Sequence, residues 1–338
     1  MTDLPLTKLA ETTSTITLGW TPISCLGYVL YADGVRKSNS WDSAKSSWKT
    51  AKATEIKVVA LGAEATGVYP NTTLPLGPRL VRPPLVTPIV LTVTNANRLP
   101  FQLDNTKDYV VNLGETLVQS LDIRGGRNVV VTGGHIAINA AGESFANTGL
   151  VVRDGAPNRT VYVENLTIDG PRLIDAVAVA CPQSTFQMQT CRLGPNVVIN
   201  SSHSDGVQFQ AGCKFFDADL LTIYTQYQGL FFGDHDGPIG GSLVTRCNIV
   251  GQPGKYLFWR TNPTSYPLVL EECWMRVEGV PWSTDPAMWV MPDANGSYGH
   301  DASYKATYDS VLKRVSWVAG ATTGYWTVGA PPSGDFVA

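Results

Sequence analysis

Apolar and polar positions recur along the second half of the chain in a fixed pattern. Val161-Tyr162-Val163-Glu164-Asn165-Leu166-Thr167-Ile168, Phe186-Gln187-Met188-Gln189-Thr190-Cys191-Arg192-Leu193 and Phe216-Asp217-Ala218-Asp219-Leu220-Leu221-Thr222-Ile223 each place apolar residues third, sixth and eighth. The series continues through Val244, Cys247 and Ile249, then Leu270, Cys273 and Met275, and ends at Leu312, Val315 and Trp317. Successive sixth-place residues are 25, 30, 26 and 26 positions apart, and the final step of 42 to Val315 predicts an inserted loop.

A second series falls between these segments: Gly149-Leu150-Val151-Val152, Ala176-Val177-Ala178-Val179, Gly206-Val207-Gln208-Phe209, Gly229-Leu230-Phe231-Phe232 and Tyr256-Leu257-Phe258-Trp259. Met288-Trp289-Val290 and Tyr325-Trp326-Thr327 extend it. Two extended segments per repeat, glycine at the corners and no 3.6-residue period predict stacked β-coils that share one core, because a single coil cannot bury its own apolar face. The fold class expected is all-β, with a right-handed parallel β-helix over residues 105–338, tail included. Leu166, Cys191, Leu221, Cys247 and Cys273 should stack as one inward column. The six cysteines, 25, 181, 191, 213, 247 and 273, include no C-x-x-C pair, so reduced, buried thiols are expected rather than disulfides or a metal cluster.

Residues 1–69 differ in texture. Thr15-Ile16-Thr17-Leu18-Gly19-Trp20 alternates with period two, Gly27-Tyr28-Val29-Leu30-Tyr31 follows, Asp33-Gly34 is a hairpin turn signal, and Glu55–Leu61 supplies another strand. A buried Trp followed by a Tyr-rich strand and an Asp-Gly turn resembles a fibronectin type III module, which implies a small β-sandwich acting as spacer or adhesion unit. Seven prolines lie between Pro70 and Pro100, so residues 70–104 read as a stiff linker or docking segment.

Composition narrows the partners. A net charge of -3 supplies no basic field for nucleic acid. The opening Met-Thr-Asp-Leu-Pro-Leu has no signal-peptide pattern, and no apolar run is long enough to insert in a membrane. A soluble protein needing no cofactor is expected.

Two clusters carry candidate chemistry: His203-Ser204-Asp205-Gly206 and Gly233-Asp234-His235-Asp236-Gly237. Asp205 with Asp234 or Asp236, tuned by His203 or His235, would fit the two-carboxylate requirement of glycoside hydrolysis if the groups approach in space. The same residues read as turns, with Asp capping backbone donors and Gly permitting positive φ, and that reading is preferred. Asp234 and Asp236 offer too few regularly placed oxygens for a calcium loop. The outward places of the second series give a different signal. Phe231, Phe258, Trp289 and Trp326 would form an aromatic column beside Arg260, suited either to a glycan or to a covering loop or subunit.

The repeat resembles pectin-lyase-like β-helices, a class that includes polysaccharide lyases, glycosidases and phage tailspike depolymerases. The ordered acid motifs of polygalacturonases are missing, because His-Ser stands before Asp205 and neither an Asp-Asp pair nor Gly-His-Gly follows. Taken whole, the chain resembles minor tail proteins of bacteriophages infecting actinobacteria. Leu6-Thr7-Lys8-Leu9, Thr15–Trp20, Val58-Val59-Ala60-Leu61-Gly62, Gly67-Val68-Tyr69-Pro70, His203–Gln208 and Gly334-Asp335-Phe336-Val337 carry that likeness in order. It implies a virion component of the tail tip, made in the host cytoplasm. Its implied partners are other tail proteins, copies of itself, with a homotrimer favoured, and host-surface glycan. A polysaccharide depolymerase is the alternative.

Overall fold

The computed structural model describes residues 2–61 except 13, 26, 34, 52 and 54, then 65–69, 80–97, 101–139, 147–155, 157–233 and 239–252. Beyond these it describes the backbone of 258–260, 268–271, 274–277, 307–309, 314–316 and 324–327, together with Cys273. Within those limits the chain is all-β.

The N-terminal module has strands β1 (Thr2–Asp3), β2 (Thr7–Glu11), β3 (Thr15–Gly19), β4 (Gly27–Ala32), β5 (Val35–Ser40), β6 (Ser47–Ala51), β7 (Ile56–Leu61) and β8 (Ala65–Tyr69). They form a three-stranded sheet in the order β2-β3-β6 and a five-stranded sheet in the order β1-β8-β7-β4-β5. The period-two alternation of β3 turns Ile16 and Leu18 onto Tyr28, Leu30, Ile56 and Val58 of the facing sheet. Trp20 closes this core against Tyr28, with ring centroids 5.1 Å apart. Asp33 has φ 50° where β4 turns into β5, the left-handed geometry the Asp-Gly signal predicts.

The remainder is a parallel β-helix. The first sequence series bends at its fifth place, so each coil has three faces rather than two. Gly133, Asn165, Thr190, Leu220 and Arg246 occupy that corner, all with positive φ between 50° and 60°. Before the corner, face A stacks Val129, Val161, Phe186, Phe216 and Ser242 in register. After it, face B stacks Ile168, Leu193, Ile223, Ile249 and Met275. The second series is face C, pairing Leu121, Leu150, Val177, Val207 and Leu230. The expected inward column holds: Leu166, Cys191, Leu221, Cys247 and Cys273 are all buried, and all six cysteines are free. Burial pushes the Cys181 and Cys191 thiols up to about 12, so they stay protonated and serve as packing volume.

Three expectations need correcting. Parallel pairing begins at Ile89–Val93, which joins Tyr109–Leu113, so the first coil starts inside the segment read as linker. Phe258 falls in register with Leu230, while Trp259 falls beside Phe231. Leu257-Phe258-Trp259 is apolar throughout, so no alternation fixes which residue faces in, and a slip of one residue inverts the assignment. Finally, Val315 and Trp326 do not extend their parallel series. Residues 307–309, 314–316 and 324–327 pair antiparallel, and Trp326 sits beside Leu270 of face A, not on face C.

The outside of face A is covered at the coils of Val130 and Tyr162 and at those of Leu243 and Val269. Leu80 and Leu85 pack on Val130 and Tyr162. The Leu80 N–H donates to Gln189 Oε1 at 2.9 Å, and Arg82 pairs with Glu164. Further along, Val29, Tyr31 and Leu61 of the five-stranded sheet pack with Trp41 on Leu243 and Val269. Arg36 reaches Asp217 at 3.7 Å with both side chains buried. The module is therefore docked flat on the solenoid.

Candidate functional site

Asp205, for which a turn role is the preferred reading and catalysis the alternative, lies inside the coil. It shares the inward parity of Val207 and Phe209 and is fully buried. Its neighbour in the coil below is Asp175, whose Oδ1 accepts the Asp205 N–H at 3.0 Å. Burial first, and then the Asp175 charge, hold the Asp205 carboxyl far above the usual carboxylate range. A carboxyl sealed inside the coil cannot meet a polymeric substrate.

His203, two residues earlier, is exposed and stacks on Tyr227 with centroids 4.7 Å apart and planes 12° from parallel. Asp234, His235 and Asp236 lie outside the described residues, as does Trp289. Phe231 is half-buried, in register with Gln208 below and Trp259 above. Arg260 falls in register with Phe232. The structure thus places Phe231, Trp259 and Arg260 on face C, keeps Trp326 away from it, and does not bring Asp205 to any surface.

The concavity with usable chemistry lies at the edge where face B turns toward face C. A cavity of about 210 Å³ is lined by Arg192, Pro195, Tyr224, Thr225, Gln226, Val250, Gly251 and Gln252. Successive coils deliver these residues: Arg192 and Tyr224 lie on neighbouring strands, and Gln226 and Gln252 follow the ends of theirs. The Arg192 guanidinium sits over the Tyr224 ring, 5.1 Å from its centroid, and donates through Nη1 to the Gly194 carbonyl at 2.9 Å. It also lies 3.9 Å from Asp169, which holds His135 at 2.7 Å.

Such a groove offers an aromatic edge, a guanidinium and two carboxamides. These groups hydrogen-bond hydroxyls and carboxylates and pack against the apolar face of a ring. Sequence reading did not single out Arg192, Tyr224, Gln226 or Gln252. The available signal was weak: polar and aromatic residues at outward places next to a corner where coil length varies. No carboxylate lines the groove, and no three His, Cys, Asp or Glu gather in metal-binding geometry among the described residues. No protein-family model, curated protein or solved structure matches the chain.

Proposed function

We propose that this chain is a minor tail protein of a bacteriophage infecting actinobacteria: a β-helical tail-tip component with a fibronectin type III-like module, which binds glycan on the host surface. The observation that carries the binding part is the groove at Arg192, Tyr224, Gln226 and Gln252. Its volume suits one sugar ring, and its lining supplies hydrogen-bond donors and an aromatic face without an acid or base. The covered outside of face A supports the structural part, since a rigid rod with one side closed presents its remaining faces in fixed orientation. In this reading the protein works in the virion beside other tail proteins and copies of itself, with a trimer favoured because tail tips are symmetric about their axis.

Purified protein titrated with solubilised actinobacterial envelope polysaccharide should show saturable binding by calorimetry. Arg192→Ala with Tyr224→Ala should weaken it at least about tenfold, the equivalent of about 1.4 kcal/mol. Release of oligosaccharides that Asp234→Asn abolishes would replace this reading with a depolymerase. Sedimentation of a monomer at micromolar concentration would remove the trimer.

A further inference from the structure

Along the corner between faces B and C several buried oxygens have no hydrogen-bond partner. Asp205 is fully buried, and neither of its carboxylate oxygens receives a hydrogen bond. Asn196 is also fully buried. Its Nδ2 donates to the Asp205 carbonyl, while its Oδ1 is unpartnered. Ser204 is fully buried with its Oγ unpartnered, and Asn147, whose carbonyl accepts the Ile174 N–H at 2.7 Å, has a buried, unpartnered Oδ1. Asp175 joins them through the contact from its Oδ1 to the Asp205 N–H. No Lys, Arg or His forms an ion pair with either aspartate among the described residues. The loop 194–204 is pinned over the corner by Asn196 N–H to the Tyr224 carbonyl at 3.1 Å and Val197 N–H to the Leu173 carbonyl at 2.7 Å.

Turn geometry does not account for this arrangement. A turn aspartate accepts backbone N–H groups, whereas the Asp205 carboxylate accepts none. Buried polar atoms are ordinarily satisfied, and buried charges are ordinarily neutralised, so orphaned oxygens around two stacked carboxylates need a common partner. All the free groups are hard oxygen donors, with no thiol or imidazole among them, and His203 faces outward onto Tyr227. Hard oxygen sets of about six to eight ligands, carboxylate and carboxamide mixed, suit calcium; zinc takes sulfur and nitrogen, and magnesium keeps its waters.

We propose that Asp175, Asn196, Ser204 and Asp205 form an internal calcium site that ties loop 194–204 to two coils of the β-helix. The site shares loop 194–204 with the glycan groove, which Pro195 lines, but uses different side chains, so calcium content and glycan binding can be read separately.

The test uses the full chain. Elemental analysis of protein purified without chelator should find about one calcium per chain. Millimolar calcium should raise the melting temperature of chelator-treated protein by at least about 4 °C, as expected for a ligand that binds only the folded state. Asp205→Asn should lose both the bound calcium and the shift, whereas Asp234→Asn with Asp236→Asn should keep them. If Asp205→Asn does not fold, Ser204→Ala is read instead, and it should need more calcium for half the shift. Metal-free protein whose melting ignores calcium would overturn the proposal and leave a shared proton between the two carboxyls. Calcium retained unchanged in Asp205→Asn or Ser204→Ala would also overturn it.

Discussion

Asp108 gathers side-chain and backbone donors from three residues. Its carboxylate takes Arg127 Nε at 2.7 Å and Nη2 at 2.6 Å, the Val86 N–H at 2.5 Å and the Asn128 N–H at 3.1 Å. The Arg127 hydrogen bonds, reinforced by those backbone donors, hold its carboxyl well below the usual carboxylate range. A depressed folded-state value means that this stabilisation is fully present above the unfolded value of about 3.9 and lost as pH falls through the folded value. Asp108→Asn should therefore cost about 2 kcal/mol near neutral pH. The gap between the two proteins in urea midpoint should close in acid; a gap that stays constant with pH would assign the effect to shape rather than charge. Asp205 teaches a different lesson about single residues. Its parity with Val207 and Phe209 was visible in the chain, and period two alone would have turned it inward. The Asp-Gly turn signal obscured that, because local chemistry and strand parity pointed opposite ways. What no sequence rule supplies is Asn196, which reaches Asp205 from a loop of irregular backbone.

At the level of strands, the corner between faces A and B is built by one residue per coil in left-handed backbone, and its occupants differ in how well they tolerate it. Gly133 and Asn165 suit positive φ, whereas Leu220 at 56° bears the Cβ penalty. Leu220 is half-buried and belongs to no core cluster, so changing it opens no cavity. Leu220→Asn should stabilise the protein by about 1 kcal/mol, read as a higher denaturant midpoint with an unchanged slope. A loss of stability would mean that the Leu220 side chain contributes more than its backbone costs. The inward places third, sixth and eighth were readable because the bend at the fifth place keeps them all facing the core. The bend itself was not readable, since glycine, asparagine, threonine, leucine and arginine share no chemistry that marks it. Face C was readable through Leu230, where Gln208 is the one polar residue that marks the outward place; the all-apolar Leu257–Trp259 has no such mark, and its register lies one residue off.

On the scale of the molecule, the N-terminal module is part of the solenoid's outer wall rather than a tethered spacer. The contact is close at Gly241, where an added Cβ would lie 2.7 Å from the Trp41 ring. Gly241→Val should loosen the module while leaving the coils intact. Limited proteolysis should then degrade the module faster than the coils, with little change in far-ultraviolet circular dichroism; unchanged cleavage would show that the hydrophobic contacts of Val29, Tyr31 and Leu61 hold the dock unaided. That two β units exist was readable from the shift at the proline-rich segment. Their docking was not, because the residues that meet, Arg36 with Asp217 and Tyr31 with Leu243, lie far apart in sequence and each looks like an ordinary strand residue.

The coils are uneven in where they hold spare chain. From face C to face A the backbone runs on as continuous strands in two coils, Asp175–Leu193 and Asp205–Thr225, and is interrupted between Arg153 and Thr160 and between Phe232 and Ser242; the return from face B to face C ranges from the two residues between Thr225 and Gln228 to the loop ending at Ser204. Length can therefore change at either end of face C without disturbing the stack, and the end toward face B carries the groove. Variation in what the protein recognises has a natural place to accumulate, with the core as a fixed frame behind it. Asn200 and Ser201, both exposed and both at positive φ, form the tip of the 194–204 return. A library of short insertions should survive there and be lost around Gln183 and Ser184, where the strand turns from face C to face A. Equal survival at both places in a folding screen would mean that the coil tolerates new sequence on any side.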